Sequence, residues 1–465
     1  MNKAKVSVII PTYNGAKFLG ETIQSVLDQT YTNFELIIVD DASPDNTMEV
    51  VTQFNNPRIK YLVQEVNKGQ DAARLLAINN SSGEILALLD HDDLFHPEKL
   101  ELHVKLLEEN PNIGFTYNSR FELNYSANTI REIWRPPQKI SLPDLVMGFP
   151  ISPSDMVLRR EWAPSLDLSQ DVKLLNGGEY LITGRLFMSG CQFARIDRAL
   201  NYRRYFSGRI YSNLLARCES ELYCQEEIFK DPRCPVEVLA LHDRAFVRTY
   251  LIWAYYAFVQ DETLLGQEFL RQAVQLQPSI LDGMPCELMS FFLTCIIADE
   301  NLIHETLLKQ IIVQLPEEMF QISNHYSWAA SLGYLLKGVR AMIWDRSEEG
   351  YRYFEKVAKL GIPFDEKLIS QLTQYLLDYS IECGDVSVQQ KIQALTPHLE
   401  KLGGRLFVRQ ILGCYSINRA FHCYHTGEYA KVPNNIKLGV AKNPRYLGNR
   451  GVHSILFRSI LHNWF

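Results

Sequence analysis

Val6-Ser7-Val8-Ile9-Ile10-Pro11-Thr12-Tyr13-Asn14-Gly15 is a β-branched run that stops at a proline and a turn. Five apolar-rich residues ended this way read as a buried strand. Three further runs, residues 36–39, 59–63 and 85–89, have the same character. Between them, residues 17–29 and 71–80 carry apolar positions at helical spacing. Strand and helix in alternation predict a parallel sheet covered on both faces. Ligands on such sheets bind beyond the carboxyl ends of the strands, so those ends are where chemistry is expected.

Two of these ends are acidic. The second strand runs into Asp40-Asp41, followed by the turn Ala42-Ser43-Pro44-Asp45-Asn46, and the fourth into Asp90-His91-Asp92-Asp93. A single Asp-Asp after a strand is ordinary turn chemistry. Two such groups on one sheet edge are costly unless a cation, a proton or a donor compensates. Oxygen-rich clusters of this kind suit Mg²⁺ or Mn²⁺.

Four segments in order carry a resemblance: residues 6–14, residues 35–43 (Glu35-Leu36-Ile37-Ile38-Val39-Asp40-Asp41-Ala42-Ser43), Asn67-Lys68-Gly69 with Ala73-Arg74, and Gly83-Glu84-Ile85 through Asp90-His91-Asp92-Asp93 with Pro97. Together they resemble the opening of the family-two glycosyltransferases, whose fold is the GT-A nucleotide-diphospho-sugar fold. The resemblance implies that Pro11 and Tyr13 line the nucleotide base, that Asp41 accepts a hydrogen bond from it, and that Arg74 holds the nucleotide side of the pocket. It implies Asp92 as the principal metal ligand, with Asp90 beside it and on the donor, the metal being Mg²⁺ or Mn²⁺. Leu75 departs from the family, which usually has a second Asn there.

Inverting transfer needs a base on the face opposite the leaving group. Gly177-Gly178-Glu179-Tyr180, followed by Arg185 and Gly190, resembles the family's base segment and puts Glu179 in that role, with Asp171 as the alternative. Gly178 departs from the family's usual acidic pair, and a helix-starting acid would also account for Glu179. Tyr202-Arg203-Arg204-Tyr205 resembles the family's closing segment, with Tyr205 in place of a His. Arg204 or Arg209 would then meet the diphosphate, unless this is a solvated basic loop.

The chain has 465 residues, 46% hydrophobic and 22% charged, a globular composition long enough for two or three domains. A net charge of −7 excludes a generally basic nucleic-acid-binding surface, though not a local basic patch. Nine scattered cysteines without a CxxC pair read as reduced thiols. The longest apolar stretch, residues 288–298, falls short of the ~20 residues a membrane-spanning helix needs. From about residue 235 the pattern turns to helix after helix. Residues 255–281, 341–364 and 421–447 each read as a helix pair, and Pro278 and Pro444 share one offset before Leu281 and Leu447. These pairs resemble tetratricopeptide units, an irregular helical domain being the other reading. His422 and His425 lack a third ligand and read as a helix-face pair. The closing stretch Ile455-Leu456-Phe457-Arg458-Ser459-Ile460-Leu461 through Trp464-Phe465 is apolar and basic, fit for a membrane surface, a partner, or packing on the helices.

The expectation is therefore an α/β domain of GT-A type over residues 1–225 and an all-α, tetratricopeptide-like domain over 235–465. The resemblance implies inverting transfer of a hexose-type sugar from a nucleotide, UDP in the first instance, to a hydroxyl of a glycan, a lipid-linked acceptor or a protein. The helical part would recognise a protein acceptor or partner. The location would be cytoplasmic, free or peripheral at the inner membrane face. Two other readings stay open: a nucleotide-sugar-binding module without transfer, and a sugar nucleotidyltransferase, for which the Gly-rich basic phosphate loop is missing.

Overall fold

The computed structural model describes residues 5–124, 129–148, 150–166, 174, 178–205, 213–298, 304–360 and 365–464. The chain opens as its patterning requires: β1 (Val6–Thr12), α1 (Leu19–Leu27), β2 (Phe34–Asp40), α2 (Thr47–Thr52), β3 (Ile59–Val63), α3 (Gln70–Asn79) and β4 (Ile85–Leu88). These four strands lie side by side as β3-β2-β1-β4, all parallel. β1 and β4 are buried along their whole length, which is why both read as apolar-rich rather than alternating, with β4 apolar throughout and β1 interrupted by Ser7.

The sheet then becomes mixed. β5 (Leu94–Phe95), α4 (Lys99–Glu109), β6 (Ile113–Asn124), β7 (Thr129–Trp134), α5 (Leu142–Met147), β8 (Val157–Arg159), α6 (Gly178–Met188) and β9 (Gln192–Tyr205) complete it in the order β4-β8-β6-β9-β5, with β7 beside β6. β8 runs antiparallel to both β4 and β6, and β5 antiparallel to β9, whereas β6 and β9 are parallel. The sheet as a whole is mixed, parallel in the half that the early motifs occupy. One face buries Ile9, Ile37, Leu86 and Phe115 beneath α3 and α6, and the other buries Val8, Ile10, Leu36 and Ala87 beneath α1 and α4.

Helices follow: α7 (Leu214–Lys230), α8 (Val236–Leu239), α9 (His242–Val259), α10 (Thr263–Leu276), α11 (Glu287–Ala298) and α12 (His304–Gln314). One compact unit comprises residues 1–130 and 134–323. It therefore includes these helices. α7 belongs to the sheet's own core, since Cys224, Ile228 and Phe229 share one apolar cluster with Leu181, Leu186 and Ala245.

The second unit comprises residues 131–133 and 324–465. Its helices are α13 (Tyr326–Ile343), α14 (Ser347–Leu360), α15 (Glu366–Cys383), α16 (Asp385–His425, broken at Gly404), α17 (Val432–Lys442) and α18 (Arg450–Trp464). Among the described residues no helix is long and apolar enough to cross a membrane.

Three helix connections are built alike. Asp261, Asp345 and Gly427 all take positive φ, between 60° and 79°. In each, the following amide (Glu262, Arg346, Glu428) donates to the carbonyl five residues back (Ala257, Ala341, Cys423), at 2.8 Å every time. These are the C-terminal closures of α9, α13 and α16, with the left-handed residue that such closures need.

Candidate active site

The carboxyl ends of β1, β2 and β4 converge on a cleft of about 530 Å³. Of the residues singled out from sequence, Pro11, Tyr13, Asp41, Asp90, Asp92 and Glu179 line it. β1 delivers Pro11 and Tyr13 through a turn in which Asn14 has φ 53°. Gly15 is required there, because a Cβ would come within 2.2 Å of Thr12 Oγ1. The amides of Asn14, Gly15 and Ala16 donate to Ser43, Thr47 and Asp45, fastening this turn to the one after β2.

The two aspartates ending β2 have separate tasks. Asp40 accepts from Tyr61 Oη at 2.5 Å and from the Ser43 amide at 2.8 Å, holding neighbouring strands together. Asp41 is buried, and its Oδ1 accepts from Gln64 Nε2 (2.9 Å) and the Lys68 amide (2.7 Å). Among the described residues its Oδ2 accepts the Gly69 amide alone, at 2.7 Å. A carboxylate oxygen has two lone pairs, so Oδ2 keeps one acceptor site on the cleft side. Gly69, at φ 92°, supplies the bend that carries the chain from this carboxylate into α3.

The Asp90–Asp93 turn is held from several sides. Thr22 Oγ1 lies 2.8 Å from the His91 carbonyl and 2.9 Å from that of Asp93, and its one O–H, shared between them, ties the turn to α1. Asp93 is buried with its carboxylate on Ser154 Oγ at 2.6 Å and the Arg204 amide at 3.2 Å. Burial, with Asp92 and Asp90 nearby, pushes its carboxyl well above the usual range. Asp93 is therefore structural, and Asp90 and Asp92 are the pair that the turn presents to the cleft. Gln70 Nε2 donates to Asp90 Oδ1 at 2.8 Å.

Arg74 is only 2% exposed and lies behind the cleft rather than along it. Its guanidinium pairs with Asp71 and stands 4.0 Å from Asp90 and 3.7 Å from Glu179. Among the described residues, Nε and Nη2 have no hydrogen-bond partner at normal distance. This buried guanidinium thus stands between the aspartate that follows β4 and the glutamate that opens α6. Burial pushes the Glu179 carboxyl upward, with Arg74 opposing and Asp71 adding to the rise. A carboxyl raised toward neutrality is suited to taking a proton.

Arg204 is not among the residues that line this cleft. Its Nη1 donates to the Asp92 carbonyl at 2.8 Å, Nη2 pairs with Glu21, and the guanidinium lies 5.3 Å from the Phe18 ring centroid. It braces the acidic turn from outside the cleft. Asp171 and Arg209 lie outside the described residues, as does the side chain of Tyr205. Among the described residues, the Arg or Lys side chain that lines the cleft is Arg217, from the first turns of α7. Nothing in its local sequence marks it, because α7 reaches the cleft only through the packing of Cys224 and Ile228 on α6.

Among the described residues no group of three or more His, Cys, Asp or Glu could hold a metal ion alone. Asp90 and Asp92 on the cleft wall supply two carboxylates. That donor set fits Mg²⁺ or Mn²⁺ sharing its other positions with phosphate oxygens and water, not an all-protein cage.

Residues 7–162 match the family model for glycosyl transferase family 2. An uncharacterized glycosyltransferase of Rickettsia conorii is 42% identical over 134 residues, covering 29% of this chain and 22% of that protein. The UDP-Glc:alpha-D-GlcNAc-diphosphoundecaprenol beta-1,3-glucosyltransferase WfgD of Escherichia coli is 39% identical over 160 residues, 34% of this chain and 62% of that protein. The chain thus spans less than two thirds of either relative's length. Among solved structures, the mannosyltransferase PcManGT from Pyrobaculum calidifontis in complex with GDP-Man and Mn2+ aligns over 71% of this chain and 87% of that chain, at 16% identity and a TM-score of 0.42.

Proposed function

Because the N-terminal region of this chain belongs to glycosyl transferase family 2, we propose that it transfers a sugar from a nucleoside-diphosphate donor to an acceptor hydroxyl with inversion. The observation that carries this reading is the cleft itself, which gathers Pro11, Tyr13, Asp41, Asp90, Asp92 and Glu179 around one volume with Arg74 behind them. UDP is the donor nucleotide to test first, since the Escherichia coli relative is named for UDP-Glc.

Each residue then has a task. Tyr13, 43% exposed, is free to lie against the nucleotide base, and the open acceptor site on Asp41 Oδ2 takes one N–H from it. Asp90 and Asp92 hold a divalent ion, which when bound supplies charge neutralisation for the departing diphosphate. Arg217 adds a second cation on the same wall. Glu179 removes the acceptor proton as the hydroxyl oxygen attacks the anomeric carbon from the face opposite the diphosphate. The acceptor is a hydroxyl on a glycan, a lipid-linked glycan or a protein. A cytoplasmic location, at the side where nucleotide-sugars are made, belongs to this same proposal.

Thermal-shift measurements with UDP-, GDP- and dTDP-sugars, each with and without Mn²⁺, test the donor reading, because a bound donor raises the melting temperature by mass action. A metal-dependent shift with a UDP-sugar, lost in Asp92→Ala, is expected. An Asp92→Ala protein that binds Mn²⁺-UDP like the wild type would overturn the metal assignment. Tight donor binding with no transfer to any acceptor tried would favour a binding module.

A further inference from the structure

From Tyr429 to the end, the chain has six basic residues (Lys431, Lys437, Lys442, Arg445, Arg450 and Arg458) and no Asp or Glu. That is a local reversal of sign in a chain of net charge −7. Lys437, Lys442, Arg445, Arg450 and Arg458 are exposed, and none makes an ion pair with another described residue. Charge of one sign held on a folded surface without internal partners makes a positive potential that draws an external anionic surface.

The same region exposes apolar side chains in register. α18 packs through Val452, Ile455 and Ser459, which are buried, the first two in a cluster with Ile417, Val432 and Ile436. On the opposite arc stand Phe457, Ile460 and Leu461, exposed by 66%, 43% and 44%. Their i, i+3, i+4 spacing makes them one patch. Arg450 and Arg458 flank that patch on the same helix, also exposed. Leu447, in the short turn before α18, is 59% exposed as well.

We propose that this end of the helical region is a docking surface for an anionic lipid bilayer. α18 would lie in the interface plane, with Phe457, Ile460 and Leu461 below the headgroups and the basic side chains on the phosphates. Nucleic acid would use the cations and leave the apolar patch in water. A bilayer uses both at once. The inference goes beyond the transfer reaction and does not depend on it.

The test is co-sedimentation of the full-length protein with vesicles of phosphatidylglycerol and phosphatidylcholine, against vesicles of phosphatidylcholine alone. Binding to the anionic vesicles is expected, falling steeply as salt rises. The double substitution Phe457→Ser/Leu461→Ser should weaken it by roughly tenfold or more, since two exposed anchors are lost. Lys442→Gln, Arg445→Gln and Arg450→Gln should each cost about fivefold. All these side chains are exposed, so the variants should melt like the wild type, and their turnover of soluble donor should be unchanged. The proposal is overturned by absent binding, by equal binding to neutral vesicles, or by binding indifferent to both sets of variants. It is equally overturned by tighter association with single-stranded RNA than with vesicles, or by a vesicle-independent dimer that the Phe457→Ser/Leu461→Ser change dissolves.

Discussion

Glu179 stands 3.7 Å from Arg74, and Arg74 stands 4.0 Å from Asp90, so one guanidinium holds the proposed base and a proposed metal ligand together. The two roles should still separate by mutation. Glu179→Gln keeps shape and hydrogen bonding but cannot accept a proton; turnover should fall by roughly 10²–10⁴ with donor affinity nearly unchanged. Loss of donor binding instead would move Glu179 into the nucleotide pocket, and full turnover would move the base elsewhere. A second carboxylate, Glu35, gives a pH signature of stability. Burial opposes its ionisation, but bonds from Lys5, Ser7 and Ser82 outweigh burial and bring the carboxyl from 4.5 to about 2. A lowered carboxyl contributes stability that is present above the unfolded pKa and lost as pH falls through the folded one. Glu35→Gln should therefore cost about 1–2 kcal/mol at pH 7, solvent screening included, and the difference should shrink between about pH 4.5 and 2. A constant difference across that window in pH-dependent urea melts would remove the ionic role.

At the scale of elements, the strand that delivers Asp90 and Asp92 depends on its first contact. A Cβ on Gly83 would lie 2.6 Å from the Ser7 amide nitrogen and 2.7 Å from the Lys5 carbonyl, both backbone atoms that cannot rotate away. Gly83→Ala should cost about 1–3 kcal/mol through displacement of β4 from β1, and weaken donor binding along with it. A melting temperature equal to the wild type's would show that the strand pair yields without loss. The glycine of the Gly83-Glu84-Ile85 motif thus has a packing reason, close backbone approach, that needs no reference to catalysis. The matched closures at Asp261, Asp345 and Gly427 also belong to this scale. We propose that they close degenerate copies of one helix-pair unit, in which Pro278 and Pro444 also stand at one offset from the turn, 17 residues on.

For the whole molecule, the change of composition near residue 235 and the grouping of contacts mark different things. Cys234, Val238 and Ala245 lie in the same apolar cluster as Leu181 and Leu186 beneath the sheet. Glu221, buried on α7, accepts from Trp253 Nε1 at 2.9 Å and from Thr249 Oγ1 at 3.4 Å, both on α9. A fragment ending after Lys230 would expose that cluster and remove two of that carboxylate's donors, whereas one ending after Ser323 keeps the first compact unit entire. The shorter fragment should be less soluble and melt well below the longer one, which should retain donor binding. Equal melting of the two would show that α8–α12 add nothing to the stability of the sheet.

The early sheet was legible in the sequence because it is built from local signals. Each buried parallel strand is a run rich in β-branched and apolar residues, each helix has its own period, and strand-end acids follow without a gap, so β1 to β4 and the presence of Asp41, Asp90 and Asp92 on one edge need no long-range information. Tertiary structure alone decided which of those acids face the cleft. Asp40 and Asp93 look like their neighbours in sequence, but they are consumed by Tyr61 and Ser154, residues 21 and 61 positions away. It also decided that Arg204 braces the acidic turn while Arg217 reaches the cleft, since a long side chain's partner depends on which helix packs beside it. The antiparallel turn of the sheet at β8, a strand of three residues, was equally hidden. So short a strand has no period of its own, and it exists only because β4 and β6 stand ready on either side to pair with it.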